Sequence, residues 1–437
     1  MDVTYTFLDY RFFAMSFPTL TKFNANLINT FYRKYSSSNQ RKLLFYWGSV
    51  GSKINTHGTL LETSTSPRLL NLVKLVKTRI EIDGIEDVRV THIASGWAHS
   101  LIAFKLKPHE NKEIAKVFSF GLNSSGQLGH GTTNDYNFND GFVEGLPSNY
   151  TVHSLNCGRL HSFILFSKEN GKNDLFGFGC TMYGQLGFGE SKQDFFYDEN
   201  PKLVCFSKPR RVNSIEENIV QVACGFDHTI LLTENSNLYS MGWGADGQLG
   251  LGNNETSDRS VPSLIRKFHN SHIRKIVSTT DSTLALLDNG HLWSWGNSEL
   301  KNLSFKILEP TKVSVEHKVV DVGIGGSFSA YVTDIGDVYT CGYGALGLGD
   351  GTIESLKPIR VPDLSNIKRI YCGPDYMAAI SASGELFTWG SGGPSGRLGL
   401  GHTNNQFVPM KVTFPQDVIV ERVACGTNHA IALCTER

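Results

Sequence analysis

The sequence of 437 residues lacks an excess of charge of either sign, because 41 lysines and arginines balance 41 aspartates and glutamates. A neutral chain has no overall attraction for DNA or for an anionic membrane, so any contact with a polyanion must be local. No apolar run reaches the ~18 residues of a membrane-spanning helix, and the eight cysteines include no C-x-x-C pair. These absences argue against a DNA partner, a transmembrane segment, a disulfide scaffold and a bound metal.

Motifs of covalent and hydrolytic catalysis are also missing, since the chain contains no G-x-S-x-G, no P-loop and no tied pair of acid and base. Gly242 to Gly247 matches the G-x-G-x-x-G spacing of a dinucleotide site, but such a site requires a strand–loop–helix unit. Here strand follows strand, and the same spacing recurs from Gly342 to Gly347. We therefore expect no catalytic residues, no cofactor and no enzymatic activity.

What the sequence does contain is a repeated unit rich in glycine. The tetrapeptide GQLG occurs at 126–129, 184–187 and 247–250, with degenerate copies at 344–347 and 396–399. A short aromatic strand ending in glycine occurs seven times, with the glycines at positions 48, 121, 179, 242, 296, 342 and 390. A second motif, of the type ACGFDHTILLT, also occurs seven times, and six copies keep its glycine, at 96, 158, 225, 325, 373 and 426.

The spacing between the two glycines indicates a β-rich module. In four successive units 17 residues separate the motif glycine, or Thr279 in its place, from the strand-end glycine, as from Gly225 to Gly242. Such a piece, for example LALLDNGHLWSWG, predicts a strand, a tight turn and a second strand. A module of about 50 residues cannot bury both faces of its sheet alone, whereas modules stacked around an axis can. We therefore predict an all-β protein, a seven-bladed β-propeller.

The two ends of the chain predict how the ring closes. Only 11 residues follow Gly426, too few to reach the partner strand that ends 17 residues after this glycine in other units. The missing strand is present near the other end of the chain as LLFYWG. We predict that residues 43–48 complete the last blade beside the C-terminal strands, which leaves no open sheet edge.

These paired motifs resemble the regulator of chromosome condensation family, whose members are seven-bladed propellers, and the resemblance covers about residues 44–437. The founding member is a nuclear exchange factor for the GTPase Ran, other members are protein-interaction platforms, and one branch is mitochondrial. The resemblance to the mitochondrial branch implies one of two roles. One is guanine-nucleotide exchange on a dynamin-like fusion GTPase at the inner membrane; the other is binding of ribosomal RNA or assembly of the mitochondrial ribosome.

The N-terminal segment favours the mitochondrial branch. No Asp or Glu occurs from Tyr10 to Leu61, a stretch that carries seven lysines and arginines. Four apolar residues at three- and four-residue spacing share one face of a predicted helix: Leu20, Phe23, Leu27 and Phe31. A basic, acid-poor, serine-containing amphipathic leader is typical of a mitochondrial presequence.

The sequence RKYSS at 33–37 resembles a mitochondrial processing site, with cleavage between residues 35 and 36. We predict a presequence over residues 1–42, which starts at Met1 or Met15, and a propeller over residues 43–437. Localisation is then the mitochondrion, in the matrix or peripherally on the inner membrane. The alternative is a disordered basic tail, such as a nuclear signal.

Four histidines lie three residues after the motif glycine: His99, His161, His228 and His429. The other three units hold a different residue at this position: Ser282, Phe328 and Tyr376. Four equivalent histidines resemble a metal-binding set, but equivalent positions in a propeller are separated by the rotation from blade to blade. We therefore interpret them as buried histidines that hydrogen-bond between blades.

Asp227, within CGFDH, is the candidate contact for a GTPase. It lies in the third unit, where the nuclear exchange factor that this chain resembles carries an aspartate on its GTPase-binding face. An exchange factor stabilises a nucleotide-free GTPase by differential binding, so an acidic residue on a shaped loop suffices. The alternative role of Asp227 is turn capping.

Two departures from the family pattern argue against Ran as the substrate. The second unit reads CGRLH, with Arg159 and Leu160 where a further family acid is expected. The inserted wedge loop of the nuclear factor is also not recognisable after Gly179.

Two basic stretches are candidates for contact with phosphate. The segment IRKFHNSHIRK at 265–275 brings Arg266, Lys267, Arg274 and Lys275 into a predicted loop region of the fourth unit, and KPRR lies at 208–211. Either stretch can contact phosphate in RNA or anionic lipid, and a solvated loop is the alternative. The sequence therefore leaves three functions open. An exchange factor for a mitochondrial GTPase ranks first, followed by a factor that binds ribosomal RNA or assembles the ribosome, and by a non-catalytic scaffold.

Overall fold

The computed structural model describes residues 41–49, 63–71, 85–108, 114–133, 138–147, 150–189, 204–252, 255–268, 271–300 and 303–437. The predicted helix and processing site of the presequence lie outside the described residues. The described residues form seven four-stranded sheets, all paired antiparallel within each sheet. The predicted seven-bladed β-propeller is confirmed.

The strands of blades 1 to 3 are β3 (Ile85–Ser95), β4 (His99–Pro108), β5 (Ile114–Leu122), β6 (Phe138–Phe142), β7 (Thr151–Cys157), β8 (His161–Ser167), β9 (Asn173–Cys180), β10 (Cys205–Arg211), β11 (Ile219–Cys224), β12 (His228–Thr233), β13 (Leu238–Gly242) and β14 (Arg259–Ile265). Those of blades 4 to 6 are β15 (Ile273–Thr279), β16 (Ser282–Leu287), β17 (Leu292–Leu300), β18 (Leu303–Val313), β19 (Val319–Ile324), β20 (Phe328–Thr333), β21 (Val338–Tyr343), β22 (Glu354–Arg360), β23 (Ile367–Cys372), β24 (Tyr376–Ser381), β25 (Leu386–Gly390) and β26 (Gln406–Lys411). Blade 7 combines β27 (Val418–Cys425) and β28 (His429–Glu436) with β1 (Lys42–Gly48) and β2 (Ser64–Leu69). A short 3-10 helix at Arg266–Phe268 follows β14.

Each blade has the same order of strands, which we call A, B, C and D from the centre outward. The A strands of neighbouring blades contact one another and surround the central axis. Because the strands are antiparallel, the A–B turns and the C–D loops lie at one end of the ring, here called the motif face. The B–C turns and the connections from D to the next A lie at the other end, here called the connector face. These two faces carry different sets of predicted site residues.

The motif glycine makes room for the aromatic side chain of the residue three positions later. A Cβ atom built on Gly225 would lie 2.1 Å from Cε1 of the His228 ring, far closer than two carbon atoms can approach. The same conflict exists in the five other blades that keep the glycine, where the ring is histidine, phenylalanine or tyrosine. Blade 4 has Thr279 in place of the glycine and Ser282 in place of the aromatic residue, so the glycine and the aromatic side chain are absent together.

The pairing of the strand-end glycine accounts for the spacing of 17 residues between the two glycine positions in four successive units. Gly242 of strand C pairs with His228 of strand B, and its φ of +104° is a conformation that favours glycine. A Cβ atom there would lie 2.3 Å from the carbonyl oxygen of Asp227. All seven strand-end glycines pair in this way with the residue three positions after the motif glycine.

The ring closes through its N-terminal strand, as predicted. In blade 7, β1 lies between β2 and β28, with a register that runs from Lys42 opposite Thr435 to Gly48 opposite His429. The five residues Leu43–Trp47 are all buried. The indole Nε1 of Trp47 also donates to the carbonyl oxygen of Arg397 in blade 6, at 2.8 Å.

The apolar core is divided among the junctions between blades. The described residues form seven hydrophobic clusters, and each cluster combines side chains from two adjacent blades. One cluster, for example, packs Phe45 and Trp47 of blade 7 against Ala378 and Ile380 of blade 6. A single blade therefore has little core of its own, and the stability of the ring depends on all of its junctions.

Candidate functional site

Asp227 lies in the A–B turn of blade 3, on the motif face, and forms an ion pair with Arg159. Arg159 lies in the equivalent turn of blade 2. Its Nε donates to Oδ1 of Asp227 at 3.3 Å, and its Nη2 donates to Oδ2. The Asp227 side chain is only 14% exposed. Burial raises the pKa of Asp227 above its ordinary value, and Arg159 opposes that rise. Arg159, which departs from the family pattern, is therefore the direct partner of the candidate residue Asp227.

Two aromatic side chains from the C–D loops extend this site. Tyr183 of blade 2 and Trp243 of blade 3 pack edge to face, with ring centroids 4.8 Å apart. Burial and then the charge of Asp227 raise the pKa of the Tyr183 hydroxyl above its ordinary value. The indole Nε1 of Trp243 donates to Asp246 Oδ2 at 3.1 Å, and Lys306 of blade 4 contacts the other oxygen of Asp246 at 2.8 Å.

Asp281 occupies in blade 4 the position that Asp227 occupies in blade 3. Gln248 Nε2 of the preceding blade donates to Asp281 Oδ1 at 3.3 Å. Burial raises the pKa of Asp281 to about 6, and the charges of Asp246 and Asp227 add to this rise. Asp281 is not recognisable from the sequence, because its unit reads TTDST and lacks both the glycine and the histidine that mark the motif.

These residues of blades 2 to 4, here called the motif-face cluster, combine partly buried carboxylates with aromatic rings and two cations: Arg159, Tyr183, Asp227, Trp243, Asp246, Asp281 and Lys306. Asp227 and Asp246 are paired with cations, and Asp246 and Asp281 also accept from an indole and an amide donor. Across the described ranges, no group of three or more His, Cys, Asp or Glu side chains is placed to hold a metal ion. In the same residues, no helix has the length and apolar character needed to cross a membrane.

The four repeat histidines lie between blades, away from the surface of the motif face. Each ring uses Nε2 to hydrogen-bond a hydroxyl of the next blade: His99 to Ser162 at 2.8 Å, His161 to Thr229 at 3.1 Å, His228 to Thr283 at 3.3 Å and His429 to Ser100 at 2.6 Å. Burial lowers the pKa of His99, His161 and His228 to about 3 and that of His429 to about 4. The rings are therefore neutral, and they connect successive blades.

The four basic candidates of the segment 265–275 lie on the connector face, opposite the motif-face cluster. The sequence placed all four in one loop region, but the structure divides them between a short helix and strand β15. Arg266 and Lys267 belong to the 3-10 helix and are exposed, with Lys267 3.8 Å from Glu309. In β15, Arg274 is exposed, whereas Lys275 donates to Asp321 Oδ1 at 2.6 Å and to the carbonyl oxygen of Val322 at 2.9 Å. Lys275 is therefore held in an ion pair with a neighbouring blade, unlike the other three candidates in the way it is anchored.

The repeats and the fold together define the class of this protein. The Regulator of chromosome condensation (RCC1) repeat matches residues 115–165, 172–232, 235–286, 336–380 and 383–433, and a second form of the repeat matches residues 219–248. These matches cover more than half of the chain. The protein belongs to the RCC1 family, as its paired motifs predicted.

Two relatives resemble the chain over most of its length. The RCC1-like G exchanging factor-like protein of Homo sapiens is 31% identical over 390 residues, which cover 83% of this chain and 78% of the human protein. The protein of the same name from Mus musculus is also 31% identical over 390 residues, covering 83% and 79% of the two chains.

Solved structures show the same propeller. The crystal structure of human WBSCR16 matches with a TM-score of 0.72 and 27% identity, over 91% of this chain and 100% of that chain. Prp20p from Saccharomyces cerevisiae, whose binding properties to Gsp1p and histones have been studied, matches with a TM-score of 0.66 and 20% identity, over 92% and 93% of the two chains. The likeness to the yeast protein is one of fold.

Proposed function

We propose that this protein is a guanine-nucleotide exchange factor that binds a GTPase on its motif face. The observation that carries the proposal is the buried Asp227 carboxylate, which pairs with Arg159 across two blades and lies beside Tyr183 and Trp243. The names of the human and mouse relatives support regulation of a GTPase. The finer part of the proposal is that the GTPase is a dynamin-like fusion GTPase at the mitochondrial inner membrane.

An exchange factor forms and breaks no covalent bond, so the site needs only to bind the nucleotide-free GTPase more tightly than the nucleotide-bound form. Asp227 is suited to this task because its carboxylate is already largely removed from water, which strengthens its attraction for a cation of the partner. Arg159 keeps the carboxylate oriented before the partner arrives. Tyr183 and Trp243 add flat apolar surface beside the charge, a combination common in the centre of protein interfaces.

Replacement of Asp227 by alanine is expected to slow nucleotide release from the partner GTPase about tenfold, which corresponds to ~1.4 kcal/mol less stabilisation of the nucleotide-free complex. The measurement is the release of a fluorescent guanine nucleotide from the candidate mitochondrial GTPase. Asp375→Ala is the matched control, because Asp375 has the same position in blade 6 and also pairs with an arginine, Arg397. Exchange that is as fast with Asp227→Ala as with the wild type would contradict the assignment of this site.

A second candidate function, binding of ribosomal RNA, rests on the exposed cations Arg266, Lys267 and Arg274 of the connector face. Their joint replacement by glutamine spares Lys275, whose ion pair is structural. If RNA is the ligand, this variant binds it more weakly, and its salt dependence becomes shallower by roughly one unit of slope for each phosphate that is no longer neutralised. Because the two sites lie on opposite faces, each variant should disturb only its own assay, and a protein whose variants disturb neither assay is better described as a scaffold.

Mitochondrial import is part of the proposal, and the acid-free basic leader supports it. N-terminal sequencing of the protein isolated from cells is expected to begin near Ser36, because the processing signal RKYSS lies at 33–37. A chain found in the nucleus with residues 1–35 still attached would refute the mitochondrial assignment and make Ran a candidate partner again.

A further inference from the structure

The central channel widens on the connector face into a cavity of about 880 Å³. Its walls are residues of the A strands of all seven blades, together with the B–C turn of blade 5 at Thr333–Gly336. A cavity of this size lies within the range that accommodates a small molecule. It is distinct from the motif-face cluster, which lies at the other end of the ring.

Among the described residues, the cavity is lined by five basic side chains and two acidic ones: Arg274, Lys275, Lys368, Arg369, Arg422, Asp321 and Asp334. Both oxygens of Asp321 are already used, because Oδ1 accepts from Lys275 and Oδ2 accepts from the backbone N–H of Ile370 at 2.9 Å. Glu421, an acid close to the wall, pairs with Lys42 and also binds the Thr435 hydroxyl. Within the described part of the lining, Asp334 is therefore the carboxylate left to balance the positive charges of Arg274, Lys368, Arg369 and Arg422.

Two observations indicate that these cations are arranged in advance of a ligand. Arg369 and Tyr371 lie two residues apart on β23 and both line the cavity, and interaction with the Tyr371 hydroxyl raises the pKa of Arg369. Across the channel, burial and then the charge of Arg422 lower the pKa of His92 to about 4, with smaller effects of His153 and Lys105.

We propose that this channel mouth binds a small soluble molecule that carries several phosphate groups. Arginine presents a planar fork of donors that matches phosphate oxygens, and Arg274, Arg369 and Arg422 approach the cavity from three different blades. The three arginines lie on strands, so their positions are fixed by the ring itself. The cavity is bounded on its sides by strands, which suits a compact polyanion better than an extended RNA chain.

Isothermal titration calorimetry of the full chain with inositol hexakisphosphate and with inorganic tripolyphosphate tests the proposal. We expect one saturable site per chain. Arg369→Gln and Arg422→Gln should each weaken binding about tenfold, since a hydrogen bond to a charged group is worth at least that factor. Arg274→Gln and Lys368→Gln, at exposed positions where folding is not at risk, should each weaken binding in the same direction.

Lys312→Gln with Lys357→Gln is the matched control, because it removes two positive charges from exposed positions on outer strands of the ring and should leave binding unchanged. No saturable binding of either probe to the wild-type protein would overturn the proposal. Equal loss of binding in the control would also overturn it, since that result indicates attraction by net charge alone. Binding of a short RNA that depends on Arg369 and Arg422, without binding of either probe, would replace the small molecule by a nucleic acid.

Discussion

A chain that begins at residue 49 is expected to fail to fold cooperatively, whereas a chain that begins at residue 41 should unfold like the full-length protein. Removal of β1 takes five buried side chains, Leu43–Trp47, out of the junctions of blade 7 with blades 6 and 1. Each large apolar side chain contributes about 1.5–3 kcal/mol when fully buried. The loss is therefore roughly 10 kcal/mol, as large as the whole free energy of unfolding of a typical domain.

Urea unfolding followed by tryptophan fluorescence and by circular dichroism measures this effect. The exposed edge of β28 should also promote association of the shortened chain, because unpaired strand edges pair with other chains. Trp47→Phe provides a milder test, since it keeps most of the apolar volume but removes the indole donor to the Arg397 carbonyl. An unfolding midpoint for the chain from residue 49 that equals that of the chain from residue 41 would contradict the closure of the ring by β1.

Acidification from pH 7 to pH 5 is expected to destabilise the protein by roughly 2 kcal/mol for each repeat histidine, because one pKa unit corresponds to about 1.4 kcal/mol. In the folded protein, burial lowers the pKa of His99, His161 and His228 to about 3 and that of His429 to about 4. In the unfolded chain the same rings have a pKa near 6.5, so the unfolded state binds more protons below that pH. Stability is therefore complete above pH 6.5, falls as the pH decreases below this value, and continues to fall until the folded rings titrate near pH 3–4.

The four contributions add to roughly 8 kcal/mol at pH 5, which is enough to unfold a domain of ordinary stability. His429→Tyr tests the cause, because Tyr376 occupies the equivalent buried position in blade 6 without titrating in this range. The dependence of the unfolding free energy on pH between 6.5 and 4 should decrease by about one quarter of the histidine contribution. His272→Tyr, at an exposed position, is the control and should leave the slope unchanged. A slope equally steep in His429→Tyr would show that other groups cause the acid sensitivity.

The repeat allowed much of the architecture to be predicted before any coordinates. The two glycines mark fixed points of each blade, since Gly225 makes room for a ring and Gly242 pairs with the residue that carries it. Their recurrence therefore counts the blades, and Gly48, one of the seven strand-end glycines, lies on the strand that closes the ring. Such features depend on residues that are close in sequence or related by the repeat, and a periodic pattern preserves that information.

The candidate site was only partly predictable. The motif identifies Asp227, but the sequence marks Arg159 only as a departure from the family pattern, and the unit of Asp281 has lost the surrounding motif. The sequence predicts one basic loop region over 265–275, although Lys275 forms an ion pair with Asp321 of the next blade.

The sequence by itself therefore determined the number of blades, the central hairpin of each blade and the closure of the ring, because each of these follows from a local pattern repeated along the chain. Only the tertiary structure decided which charges meet. Arg159 and Asp227 are 68 residues apart, and Lys275 and Asp321 are 46 residues apart, on different blades in each case. The rotation that brings successive blades together sets these contacts, and no spacing within one repeat records which side chains will face one another across a junction.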